Sequence, residues 1–76
     1  MRLILFAKDR SQLQYYVKLL RLTPVDYVYI DKPERLYGLR FGLYIKFPEW
    51  SENMSLKEVI EIHALIESSI ELKIAE

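Results

Sequence analysis

Few residues of this chain have the type and spacing to do chemistry. Lys8 and Arg10 flank Asp9 just after an apolar run, and Trp50 stands in the segment Phe47-Pro48-Glu49-Trp50-Ser51. Cations beside a helix N-terminus can hold a phosphate, and an indole can stack on a base or on an apolar group. Lys8, Arg10 and Trp50 are therefore the candidates for a nucleotide or small-ligand crevice. Against it, the loop Ala7-Lys8-Asp9-Arg10 contains no glycine. The dinucleotide fingerprint and the P-loop both need glycine so that backbone N–H groups can approach the phosphates. Asp9 at the helix cap would also repel an anion. The crevice is an alternative, not the leading expectation.

His63 is the single histidine, and the chain has no cysteine. Its spacing places it on the apolar face of a helix, where a histidine is ordinarily a core residue. General acid–base or nucleophilic work needs an orienting carboxylate and a nucleophile nearby. Glu67, four residues on, is a possible partner, but Ser68 and Ser69 sit in no nucleophile motif. No spacing supplies a second strong metal ligand. The expectation is a non-enzymatic protein with no catalytic residue, metal or cofactor.

The six tyrosines are many for 76 residues. Tyrosine offers a large contact area with a polar tip, which suits interfaces. Tyr27 and Tyr29 alternate with Val28 and share one strand face with Val25. Tyr15 and Tyr16 fall on a helix. Aromatic strands near Arg and Lys also suit stacking of single-stranded nucleic acid, a second alternative.

These residues must be positioned by short elements. Residues 3–7 are a continuous apolar run, as in a strand buried on both faces. Asp9 with Gln12 forms a capping-box pattern that opens a helix over 10–22, stopped by Thr23-Pro24. Residues 25–30 are β-branched and aromatic, hence strand. Pro33 opens one helical turn that Gly38 ends. A strand is expected over 42–47. Ser55 with Glu58 is a second capping box, opening a helix to 67 or 68. Residues 69–75 alternate as a closing strand, with a longer helix through Ile70 as the competing expectation.

Strands alternating with helical segments predict an α/β fold with a parallel sheet. Right-handed crossovers give the order 2-1-3-4, a half-Rossmann-like arrangement with one main helix on each face. On the first helix, Leu13, Tyr16, Val17 and Leu20 share an arc toward the sheet. Tyr15, Leu19 and Leu22 form a neighbouring apolar arc, beyond the width of about 100° that a surface helix needs. On the second helix, Leu56, Val59, Ile60, His63 and Ile66 are expected inward, with Ile62 at the flank. The interface candidates are Tyr15, Leu19, Leu22, Tyr27 and Tyr29.

With 51% apolar and 29% charged residues, the chain has the composition of one soluble domain rather than a disordered segment. The short N-terminal apolar run falls below a signal-peptide core and a membrane span. No membrane association is expected, and the expected location is the cytoplasm. Eleven basic and eleven acidic side chains leave no net charge, which argues against a protein that coats nucleic acid. The balance hides a partition: residues 1–46 carry +5 and residues 47–76 carry −5. Such asymmetry suits a charged partner or self-association.

The segment Pro33-Glu34-Arg35-Leu36-Tyr37-Gly38-Leu39-Arg40, after "Thr-Pro…Tyr-Val" and before a strand and a Trp-bearing loop, resembles small uncharacterised bacteriophage-encoded proteins of half-Rossmann-like pattern. The resemblance covers roughly residues 3–50. It implies a viral origin and, in the turn, packing of Leu36 and Leu39 around Gly38. It brings no activity and no catalytic residues. Those proteins often carry a fuller glycine-containing third strand and a second Trp, which this chain lacks. The expected function is protein binding: a homodimer through the first helix or an edge strand, or docking on a host protein as inhibitor or adaptor. A viral chain would do this in the host cytoplasm.

Overall fold

Local chemistry starts and stops every element. The structure is a computed structural model that describes residues 3–39 and 42–73. Strand β1, Leu3–Phe6, is followed by helix α1, Arg10–Leu19. Asp9 caps α1, its Oδ1 accepting the Gln12 N–H at 2.8 Å. The Gln12 side chain does not reach back to the Asp9 N–H as a capping box requires. Its Oε1 accepts from the Lys8 N–H instead, at 2.9 Å.

The first helix ends earlier than its apolar pattern. Leu20 is the cap, and Arg21 takes a positive φ of 57°. The Arg21 N–H then donates to the Lys18 carbonyl at 3.2 Å, and the Leu22 N–H to the Val17 carbonyl at 3.0 Å. This pair of bonds is the Schellman motif, normally built on glycine. Strand β2, Tyr27–Ile30, also starts later than expected. Residues 24–26 are a turn, closed by the Asp26 N–H to Thr23 carbonyl bond at 2.9 Å. Asp26 Oδ2 accepts from the Thr23 N–H at 2.9 Å and from its hydroxyl at 2.7 Å. Val25 is thereby left exposed and does not share a strand face with Tyr27 and Tyr29.

A 3₁₀ turn at Pro33–Leu36 follows, and Gly38 closes it as expected. Tyr37 (φ −64°, ψ 128°) and Gly38 (φ 79°) are the central residues of a type II turn, with the Leu39 N–H donating to the Leu36 carbonyl. Leu36 is buried, but Leu39 is exposed and does not pack as the resemblance implied. Arg40 of that segment lies outside the described residues. Strand β3 spans Leu43–Lys46 and helix α2 spans Leu56–Leu65. The capping box at α2 is complete: Ser55 Oγ accepts the Glu58 N–H, and Glu58 Oε1 accepts the Ser55 N–H. Strand β4, Ile70–Glu71, closes the sheet, so the chain does not continue as helix through Ile70. The 2.8 Å bond from the Leu72 N–H to the Tyr44 carbonyl carries the ladder one step further. Ile74 and Ala75, at the end of the expected strand, lie outside the described residues.

The sheet is four-stranded and all parallel, in the order β2-β1-β3-β4. Alternation along β1 builds two cores. Ile4 and Phe6 join Ile30, Tyr44, Ile62 and Ile66 on the α2 side. Leu5 and Ala7 join Leu13, Tyr16, Val17, Ile45 and Phe47 on the α1 side. Tyr16 lies flat on Phe47 with ring centroids 4.2 Å apart.

Helix α2 is rotated relative to the expectation. Ile62 is fully buried and Ile66 nearly so, whereas Leu56, Ile60 and His63 face outward. The helix carries apolar residues almost all round, so its own pattern does not select a face. The sheet selects it, because Ile62 fills the space beside Ile4, Phe6 and Ile30.

Candidate functional site

The crevice expected at the carboxyl ends of β1 and β3 is bridged by the chain itself. Lys8 Nζ lies 3.7 Å from Glu49 and 3.9 Å from Glu52. Asn53 Nδ2 donates to the Lys8 carbonyl at 2.9 Å, and Gln12 Nε2 donates to the Pro48 carbonyl at 2.6 Å. The two loops are thus clasped together. Pro48 and Glu49 form a tight turn, with the Trp50 N–H donating to the Phe47 carbonyl and Glu49 at φ 60°.

The three crevice candidates do not converge. The Arg10 guanidinium lies over the Tyr29 ring at 5.8 Å, on the β2 side. Trp50 packs on Phe6 at 5.2 Å and stacks on His63 at 6.0 Å, with Lys46 Nζ 5.9 Å from its ring. Trp50 therefore serves as a wedge between β1 and α2, and His63 covers its outer side. Lys46 also pairs with Glu71 at 3.7 Å. Among the described residues, no three of His, Cys, Asp and Glu gather as a metal site, and no helix is long and apolar enough to cross a membrane.

The interface candidates separate into two groups. Leu22, Tyr27 and Tyr29 are half-buried and pack against the α1-side core. For Leu22 the cause is the Schellman turn, which folds the residue after the positive-φ position back onto the helix. Burial holds the Tyr29 phenol above its usual range, with Asp31 adding to the effect. Tyr15 and Leu19 are different: they are 63% and 56% exposed.

Their flank of α1 is fixed by its neighbours. Gln12, Tyr15 and Leu19 recur at three and four residues, so they share one stripe. Gln12 is bonded to Pro48, just after β3, so this stripe looks toward β3 and β4. Below it, alternation puts Leu43 on the same sheet face as Ile45, and Ile70 lies beside Leu43 in register. Ile70 is 64% exposed, and Leu43 and Leu72 are also exposed. Exposed apolar residues thus stand on both the α1 flank, at Tyr15 and Leu19, and the sheet edge, at Leu43, Ile70 and Leu72. On this face α1 covers β1 and, in β3, Ile45 and the following Phe47, and leaves Leu43 at the start of β3 and the β4 edge exposed. The sequence carried the signal for Ile70 and Leu72 in their alternation with Glu71 and Lys73. It pointed only to a strand, because which face α1 leaves bare depends on where that helix lies.

Comparison with family models, with curated proteins and with solved structures returns no match to this chain.

Proposed function

We propose that this chain is a non-enzymatic protein-binding domain whose contact surface is built from the exposed apolar residues of the α1 flank and the β3–β4 edge. The observation that carries this is the exposure of Tyr15 and Leu19 on α1 and of Leu43, Ile70 and Leu72 at the β3–β4 edge. Large apolar side chains left exposed in number usually mark an interaction site. The partner is a second copy of the chain or, on the resemblance to bacteriophage proteins, a host protein that the domain inhibits or bridges. The nucleotide alternative draws less support, since Lys8 already faces Glu49 and Glu52. Stacking of single-stranded nucleic acid on Tyr27 and Tyr29 is weakened by their packing against the core.

Leu19→Asp and Ile70→Asp provide the test. Both sites are more than half exposed, so each substitution leaves the circular dichroism spectrum and melting temperature close to those of the parent. The parent chain should self-associate or capture a host-extract protein, and both substitutions should abolish that binding. Binding indifferent to both changes, or a parent that neither self-associates nor captures a partner, refutes the proposal.

A further inference from the structure

Strand β4 is an edge of the sheet, and only one side of its backbone is used by β3. The Ile70 N–H donates to the Gly42 carbonyl at 2.8 Å, and the Leu72 N–H to the Tyr44 carbonyl at 2.8 Å. Residues bonded to one neighbour alternate along a strand with residues bonded to the other, so the N–H and C=O groups of Glu71 and Lys73 point away from β3. Such a row is a template for another strand. The side chains alternate as well. Ile70 and Leu72 stand on the α1 side, and both are exposed. Glu71 stands on the α2 side, where Lys46 Nζ is 3.7 Å from its Oε1. Lys73 follows on that side and is exposed.

We infer that β4 pairs antiparallel with β4 of a second copy, about a two-fold axis at Leu72. This rests on the protein-binding proposal and specifies its partner at the β3–β4 edge. The backbone limits the register, because the bonded pairs of an antiparallel ladder must join the outward residues, Glu71 and Lys73. Charge then selects among the registers that remain. An axis at Glu71 sets two carboxylates opposite each other, and an axis at Lys73 sets two cations. An axis at Leu72 sets Glu71 of each copy opposite Lys73 of the other, on one face of the sheet, and opposite charges in that position stabilise the pair. These charges are the side chains of the paired edge itself. Leu72 then meets its own counterpart in the non-bonded position, where facing side chains come closest.

The axis is perpendicular to the sheet, so each face continues from one copy into the other. Ile70 and Leu72 of both copies come together on the side that carries exposed Tyr15 and Leu19. A parallel two-fold pairing would turn that face of one copy to the α2 face of its partner and separate them. The antiparallel contact is isologous, so assembly closes at a dimer and leaves no β4 edge open. The other edge, β2, offers less to a partner strand, since Tyr27, Val28 and Tyr29 are half-buried and Ile30 is buried. A short strand edge makes a small interface, so the dimer is weak and reversible.

Charge reversal tests the register. Lys73→Glu opposes two carboxylates at each pair, and Glu71→Lys opposes two cations. Sedimentation equilibrium should show the parent as a monomer and dimer, with each variant dimerising about tenfold or more weakly. Lys73→Glu changes an exposed side chain and leaves the Lys46–Glu71 pair in place, so it keeps the circular dichroism spectrum of the parent. Glu71→Gln replaces Glu71→Lys if the latter fails to fold. An equimolar mixture of the two variants restores opposite signs and should form one-to-one heterodimers. In the parent, amide exchange at Glu71 and Lys73 should slow as the dimer forms, while exchange at Tyr27 and Tyr29 stays the same. A dimer that Lys73→Glu leaves intact, or a mixture that stays monomeric while the parent dimerises, overturns the inference. So does exchange at Glu71 and Lys73 that ignores dimer formation, or a parent that stays monomeric at millimolar concentration. The broader protein-binding proposal then stands if the parent still captures a host protein and the Leu19→Asp and Ile70→Asp variants do not.

Discussion

Arg21 and Glu49 hold positive φ angles of 57° and 60° that an L-residue adopts at a cost of about 1–2 kcal/mol. Arg21 is held there by the two Schellman bonds and by Leu22 packing inward. Arg21→Gly should therefore raise stability by about 0.5–1 kcal/mol, the relief of strain exceeding the entropy that glycine adds to the unfolded chain. Urea denaturation followed by circular dichroism checks this, and a lowered midpoint would falsify the strain account. Titration adds a second residue-scale prediction. Burial raises the Tyr29 phenol and, together with Glu71, the Tyr44 phenol. Folded-state values above the unfolded value mean stability that is intact below about pH 10. It is lost as pH rises from there through the folded values. Tyr44→Phe should flatten this alkaline loss, measured as urea midpoint between about pH 9 and 11.5; an unchanged slope counts against the burial of Tyr44 as its source. Thr23 and Ser55 lower the Asp26 and Glu58 carboxyls through backbone and hydroxyl hydrogen bonds. Their contribution is present above the ordinary carboxylate range and is lost as pH falls through the lower folded values. Neither positive-φ residue was visible in sequence, since no glycine marks it and the strain is supported by tertiary packing.

At the scale of elements, the two helices differ in how far their sequences reveal them. The sheet-facing arc of α1, with Leu13, Tyr16, Val17 and Leu20, is set apart by Gln14 and Lys18 on the opposite side. The structure packs all four against one core. On α2 the apolar residues Leu56, Val59, Ile60, Ile62, Leu65 and Ile66 surround most of the helix, so periodicity favours no single face. The buried residue is Ile62, which touches the β1 core. Ile62→Ala should cost about 2–5 kcal/mol, while Ile60→Ala should stay within about 0.5 kcal/mol of the parent. Comparable losses at both positions, by urea denaturation, contradict this orientation. The capping signals at Asp9 and Ser55 were legible because a cap is a local bond between neighbours. Where each helix ends was less so: α1 stops at Leu19, three residues short of its apolar pattern, because Arg21 turns the chain.

At the scale of the whole molecule, the clasp between the β1–α1 and β3–α2 loops bears on ligand binding. Lys8 faces Glu49 and Glu52, Gln12 holds Pro48, and Asn53 holds the Lys8 carbonyl. Trp50 stands within the clasped segment and reports on it. Its fluorescence should not change across a panel of nucleotides up to millimolar concentration. A saturable change would restore the crevice as a binding site. The strand order 2-1-3-4 and the parallel sheet were determined by the sequence alone, through the alternation of element types and the right-handed rule for crossovers. So was the partition of charge into a basic and an acidic half, which composition as a whole conceals. Only the tertiary structure decided which apolar residues remain outside. Periodicity states that a side chain shares a face with its neighbours three or four residues away. Burial depends on what lies across from that face. Tyr15 and Leu19 stay exposed, Leu22 folds inward, and Ile70 and Leu72 lie bare because a single helix spans only part of a four-stranded sheet.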